Sequence, residues 1–400
     1  MIKGIRGILK KGAGAGHCDF PLTVMVTVLV IFGVVMIFSA SYYYSINMFG
    51  TPYQYLKDQI FNAGLGFVLM WIASKIDYRI FRRLAFPILI LSIVLLLLIF
   101  TPLGETRNGA TRWLNFGISV MPGELAKPAI IVFASAYFAT NMKRAATLRG
   151  MLPIIGVAGL MFVLIYLQPN LSTALTVVII AAGIIFLSGM PWKVVIGAVI
   201  LGVAGVLVII IGGGSYQLQR LTSFLDPFSE AQGDGFQVVQ SLLALGTGGF
   251  TGLGLGKSVQ KNLYLPEAQT DFILSVIGEE LGFLGILLLL VLFVLLIWRT
   301  MYIGMNAADR FGTLMCGGVA VMTGIQVIFN VAVVTSSMPP TGVAMPFISY
   351  GGNALWIFMG LYGIVLNISR TADISPAGEK LSEEGKGVGR RKRKTSGGQI

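Results

Sequence analysis

Ten long apolar runs decide what this chain can fold into. They fall at about 22–42, 59–74, 84–101, 124–140, 152–168, 172–189, 193–211, 272–298, 311–334 and 347–368. Each is close to the ~20 residues a helix needs to cross a bilayer core. Lipid offers no partner for backbone N–H and C=O groups, so runs of this length are read as helices that satisfy themselves. The chain is 55% hydrophobic and 12% charged, against about 25% charged in soluble domains. The expected fold is an all-α polytopic membrane protein with about ten transmembrane helices. A large extracellular loop, 212–271, is expected between helices 7 and 8. The expected organisation is a tail at 1–21, a membrane domain at 22–370 and a polar tail at 371–400. Composition marks that last tail as disordered, and its basic run at 390–394 suits anionic lipid heads.

Charge placement fixes the orientation. With both termini in the cytoplasm, 22 of the 29 Lys and Arg lie on the inner side, as the positive-inside rule requires. The first run lacks a small-residue cleavage site, so no removable leader is expected. Cys18 and Cys316 have no ligand spacing, which argues against a disulfide framework or a zinc site. The one histidine, His17, precedes the first span, so no His-based catalytic pair can be assembled.

Against this apolar background, acidic residues stand out. The chain has 17, and four fall within fourteen positions: Glu267, Asp271, Glu279 and Glu280. An ionised group at membrane depth costs several kcal/mol, roughly 2.5–3.5 on insertion scales. Pro266 suits a helix start, and a helix from Glu267 would put Asp271 on the same face at i+4. Asp271 is then expected at the outer boundary. Glu279 and Glu280 lie about two turns deeper, pointing different ways at 100° per residue. A carboxylate with a polar exit and an apolar floor has its pKa raised, and it can take a proton from a hydroxyl or hold a divalent cation. Alternatively, the deeper acids pair with Lys or Arg and fix packing.

Other constellations accompany the acids. Glu124 and Lys127 are i, i+3 and can pair, which would lower the cost of a lysine inside a span. Arg112 beside Trp113 suits a phosphate at the interface. Gly252-Leu253-Gly254-Leu255-Gly256-Lys257-Ser258 fails the Walker spacing, because Thr251 stands where the first glycine belongs. It is expected to be a flexible outer loop presenting Lys257 and Lys261 to an anion. Pro346-Phe347-Ile348-Ser349-Tyr350-Gly351-Gly352 marks a broken helix start, either a substrate contact or punctuation.

These runs resemble the SEDS family (shape, elongation, division and sporulation), the polytopic peptidoglycan glycosyltransferases. The resemblance rests on Gly109-Ala110-Thr111-Arg112-Trp113, Gly123-Glu124-Leu125-Ala126-Lys127, Gly235-Phe236-Gln237, 253–261, Tyr264-Leu265-Pro266-Glu267 through Gly282, and 346–352. It spans about 20–370. The Ser258-Val259-Gln260-Lys261 run is similar to the division member and its sporulation paralogue rather than to the elongation member.

The resemblance implies polymerisation of lipid II, with a polyprenyl-pyrophosphate-linked glycan as donor, at the outer face of the bacterial plasma membrane at the septum. It implies Asp271 as general base, with substrate contacts from Arg112, Glu124, Lys127, Lys257, Lys261 and Glu267. Glu279 and Glu280 would shape the cavity. Mg²⁺ or Mn²⁺ would be the cofactor if any, with no nucleotide and no nucleic acid. The implied partners are a class B penicillin-binding protein and other division proteins. The chain departs from the family at Gly123, where a serine is common, and at Asn170, where an aspartate is common. Asn170 cannot carry that charge and is left out of the site. The rival reading is a lipid II flippase, which would need polar groups along its whole path.

Overall fold

The computed structural model describes residues 18–107, 110–115, 117, 119–140, 147–190, 197, 227–228, 235–340 and 342–373. Eleven helices are present among them: α1 Phe20–Phe49, α2 Gln54–Lys75, α3 Arg79–Arg83, α4 Ala85–Leu98, α5 Pro122–Thr140, α6 Leu148–Tyr166, α7 Leu171–Leu187, α8 Phe236–Gly248, α9 Ile273–Met305, α10 Arg310–Val334 and α11 Gly352–Ser369. Helices occupy nine of the ten predicted span positions. Five are long and apolar enough to cross a membrane: α1, α6, α9, α10 and α11. The expected span at 193–211 (residue 197 excepted), His17 and the basic run at 390–394 fall outside the described residues.

Short polar residues start several helices. The Asp19 carboxylate accepts from Leu22 N at 2.9 Å and Asp309 from Gly312 N at 2.9 Å. Thr147 and Asn170 cap α6 and α7 in the same way. Each cap satisfies a donor that the first helical turn leaves unpaired. One end of the bundle is laced by charge. Arg299 pairs with Asp19 at 2.5 Å, and Asp309 receives Tyr78 and Arg79 at 2.7 and 3.0 Å. Helix α2 lies along α11. A Cβ on Gly66 would collide with Met359, and one on Gly363 with the α2 backbone at Met70. Small residues let helices approach where no hydrophobic drive exists between them in lipid.

Helix α9 is broken at Gly282, which has φ +69°. The break leaves two carbonyls, of Glu279 and Glu280, and two N–H groups, of Phe283 and Leu284, without their i, i+4 partners. A loop from the end of α8 takes all four. Leu253 N and Gly254 N donate to the carbonyls of Glu279 and Glu280 at 3.0 and 2.9 Å. Phe283 N and Leu284 N donate to Gly249 O and Phe250 O at 2.9 and 3.2 Å. This satisfies backbone that lipid could not. The Gly252–Ser258 stretch is therefore a set of turns bonded to the broken helix, which corrects the expected flexible loop. A Cβ on Gly282 would strike Gly252 N and Phe250 O. We expect Gly282→Ala to lower stability by roughly 2–5 kcal/mol, from a left-handed penalty of about 1–2 and overpacking of about 1–3. A melting curve in detergent equal to wild type would contradict it.

The all-α expectation needs one correction. Strands β1 Gly104–Arg107, β2 Ala110–Asn115 and β3 Ser119–Val120 form an antiparallel sheet in the order β1-β2-β3. Thr106 faces Thr111 and Leu114 faces Val120. The sequence between β1 and β2, Asn108-Gly109, is the dipeptide that two-residue hairpins favour. Leu114 is buried and fixes the sheet to the bundle, which sets the position of Arg112 two residues earlier. Helix α8 is a second addition, inside the segment expected as a loop. Its Ser241 hydroxyl bonds Ser275 at 2.7 Å and donates to Val334 O at 2.7 Å, tying α8 to α9 and α10.

Candidate active site

Asp271 sits in a run of turns, two residues before α9 begins at Ile273. This corrects the expected helix start at Pro266 and Glu267. Glu267 has φ +53°, and its carbonyl accepts from Thr270 N at 3.1 Å and Phe272 N at 3.4 Å. The Glu267 carboxylate accepts from Thr270 Oγ1 at 2.9 Å. The two acids share a compact turn rather than a helical face.

Helix α10 and the α10–α11 connector hold that turn. Asn330 Nδ2 donates to Asp271 O at 2.8 Å and to Val343 O at 2.9 Å. Ser349 Oγ donates to Thr270 O at 2.6 Å, and Tyr350 N to Gln269 O at 2.9 Å. Gly342, at φ +68°, lies against the Asp271 carboxylate. A Cβ there would stand 3.3 Å from Oδ2. Asn330 and Gly342 escaped the sequence reading, because an Asn inside an apolar run carries no spacing signal. The 346–352 run was visible as a break, and its role is to clamp the acidic turn.

The electrostatics single out one acid. Burial pushes the Asp271 carboxyl up to about 7; the Glu267 charge adds to this and the Arg112 guanidinium opposes it. Arg112 therefore shares the mouth with both acids. It is aimed by donating to the carbonyls of Gln168 (3.4 Å) and Pro169, where the chain passes from α6 to α7. A cleft of 420 Å³ lies nearby, between the sheet and this break, with Thr101, Thr111 and Gln168 on its walls. It does not include Asp271.

The other expected residues separate into three groups. Glu124 and Lys127 pair at 2.6 Å with the lysine buried, and Glu124 Oε2 has no partner among the described residues. Lys257 is exposed. Lys261 is not: it is buried, bonded to Glu280 at 2.7 Å and to Ser39 at 2.9 Å. This corrects its expected place at the mouth, because its charge faces a fully buried carboxylate. Glu279 is buried too. It accepts from Ser258 Oγ at 2.5 Å, Val259 N at 2.9 Å and Gln260 N at 3.2 Å. The adjacent acids thus face different partners, one a loop backbone and the other a lysine.

No group of three or more His, Cys, Asp or Glu comes together among the described residues. One carboxylate beside Asp271, that of Glu267, still fits a Mg²⁺-type ion, which takes one or two carboxylates and fills its shell with substrate phosphate and water.

A family model describing the FtsW/RodA/SpoVE cell cycle proteins matches residues 20–374. The chain belongs to that family. Among the relatives of this FtsW/RodA/SpoVE protein is a probable peptidoglycan glycosyltransferase FtsW from Geobacter sp. (strain M18). It is 37% identical over 354 residues, 88% of this chain and 96% of the relative. Stage V sporulation protein E of Bacillus subtilis (strain 168) is 36% identical over 355 residues, 88% and 97% of the two chains. A solved chain from a peptidoglycan synthase complex that coordinates polymerization and crosslinking superposes with a TM-score of 0.74. It is 27% identical, over 90% of this chain and 99% of that one. The rod shape determining protein RodA of Thermus thermophilus gives 0.65 at 26% identity, over 90% and 98%.

Proposed function

We propose that this protein is a peptidoglycan glycosyltransferase that polymerises lipid II at the outer face of the plasma membrane during septal wall synthesis. The observation that carries this reading is Asp271: a half-buried carboxyl, pushed up to about 7 by burial and acted on by Glu267 and Arg112, directly before a membrane-length helix. Such a group takes protons near neutral pH. The acceptor sugar 4-hydroxyl attacks the anomeric carbon of the polyprenyl-pyrophosphate-linked donor and gives its proton to the Asp271 carboxylate. The C–O bond to pyrophosphate breaks, the anomeric configuration inverts from α to β, and the leaving group departs with the electron pair. Arg112 and the exposed Lys257 supply positive charge to that pyrophosphate. Glu267, with the substrate pyrophosphate, would hold a Mg²⁺ or Mn²⁺, which when bound supplies further neutralisation. The resemblance to a chain from a synthase complex supports a class B penicillin-binding protein as partner.

The test is polymerisation of labelled lipid II by the purified full chain, with and without that transpeptidase. Glycan strands support the reading. Transfer of lipid II across liposomes without any polymer, even with the partner present, would instead establish a flippase.

The neighbours of Asp271 give a second check. Arg112→Gln removes a cation that favours the carboxylate, so the acidic limb of the pH–rate profile is expected to move to higher pH. Glu267→Gln removes a like charge, and the limb is expected to move lower. Shifts in the same direction would rule out this field.

A further inference from the structure

Aromatic side chains crowd the outer ends of α1 and α2, next to the acidic turn. Tyr55 meets Tyr350 edge-to-face, with centroids 4.8 Å apart, and Tyr44 lies 5.9 Å from Tyr55. Tyr350 is the residue whose N–H is bonded to Gln269, two positions before Asp271. The cluster therefore adjoins the proposed base. Carboxylates border it as well. Asp58 faces the Tyr350 hydroxyl, and Glu267 is close enough to act on Tyr55. Tyr55 and Gln59 are i, i+4 on one face of α2. Gln59 is fully buried, and neither of its amide atoms has a partner among the described residues. Tyrosines also gather at membrane interfaces as anchors. An anchor belt, however, requires neither carboxylates beside the rings nor an unused amide one turn below them. Ring faces for sugar C–H bonds, with carboxylates and an amide for sugar hydroxyls, are what a saccharide site needs.

We propose that Tyr55, Tyr350 and Asp58, with Gln59 beneath, form a saccharide subsite that seats an N-acetylated hexose next to Asp271. Its choice of ligand rests on the polymerase reading. A tyrosine ring face packs on the C–H face of the pyranose, and Asp58 accepts from a ring hydroxyl. These are positioning residues, since none touches the bond that changes.

The test is saturation-transfer NMR on the detergent-solubilised full chain, with a soluble β-1,4-linked N-acetylglucosamine tetrasaccharide as probe. Wild type and Asp271→Asn are expected to give signal on the sugar ring protons. Tyr55→Leu is expected to bind about two- to tenfold more weakly, and Tyr55→Phe to restore binding, because the ring does the packing. Asp58→Asn preserves volume and gives an independent reading if the leucine variant does not fold; weakened binding is expected there too. No sugar signal from wild type, or wild-type binding by Asp58→Asn and by a folded Tyr55→Leu, overturns the subsite. Lipid II polymerisation is scored separately. Tyr55-dependent sugar binding without polymer leaves the subsite standing and removes the polymerase reading. Polymer without that dependence does the reverse.

Discussion

Asp271→Asn is expected to cut lipid II polymerisation by about 10²–10⁴-fold, the usual contribution of a positioned general base, while the protein stays folded. Asn matches Asp in shape. The hydrogen bond from Asn330 goes to the main-chain oxygen of residue 271, so it survives the change. What disappears is the proton acceptor. The pH dependence makes the assignment specific. A carboxyl lifted to about 7 is protonated below that pH and cannot act as base, and above it the carboxylate predominates. Wild-type kcat/KM is thus expected to fall by about tenfold per pH unit well below 7, in the usual form of a single essential base. The residual activity of the Asn variant should lack that limb. An Asn variant that polymerises at the wild-type rate would end the general-base assignment.

The second large effect concerns stability. Lys261→Met should destabilise the protein by about 3–5 kcal/mol, the cost of leaving a buried charge without its partner. Glu280 is fully buried, and Lys261 Nζ lies 2.7 Å from its Oε1. Without the lysine, only the Ser39 hydroxyl remains on that carboxylate among the described residues. Lys261→Met combined with Glu280→Leu should recover most of the loss, because well-packed apolar replacements of buried ion pairs are often neutral or stabilising. Thermal unfolding in detergent reads both. A single variant as stable as wild type, but defective with lipid II, would return Lys261 to the substrate. A double variant no better than the single would deny the pairing.

Much of the architecture was legible because its cause is local. A run of about twenty apolar residues has few options in lipid, so among the described residues nine helices stand where length and apolarity put them. The different settings of Glu279 and Glu280 were also legible, since adjacent positions on a helix point about 100° apart. The start of α9 was misjudged. Pro266 is a sound local signal for a helix N-terminus, but the chain turns for several residues more because the α10–α11 connector takes up its carbonyls at Gln269 and Thr270 and Asn330 of α10 takes up that of Asp271. The burial of Lys261 was hidden for a related reason. A lysine in a glycine-rich outer segment reads as solvated until a carboxylate from the broken helix is seen beneath it.

The sequence by itself determined that the chain carries runs apolar enough to span a membrane, that its Lys and Arg cluster between alternate runs, and that Asp271 directly precedes one of those runs. These follow from hydropathy, charge count and spacing, all additive along the chain. Only the tertiary structure decided which charges are available. Arg112 is brought to Asp271 across 159 positions by a small sheet, Lys261 is withdrawn to Glu280, and the Gly282 break is closed by a loop from α8. The physical reason is the same in each case. In a low-dielectric interior a charge or a free backbone group must find a partner, and which partner it finds depends on distances that sequence order does not contain.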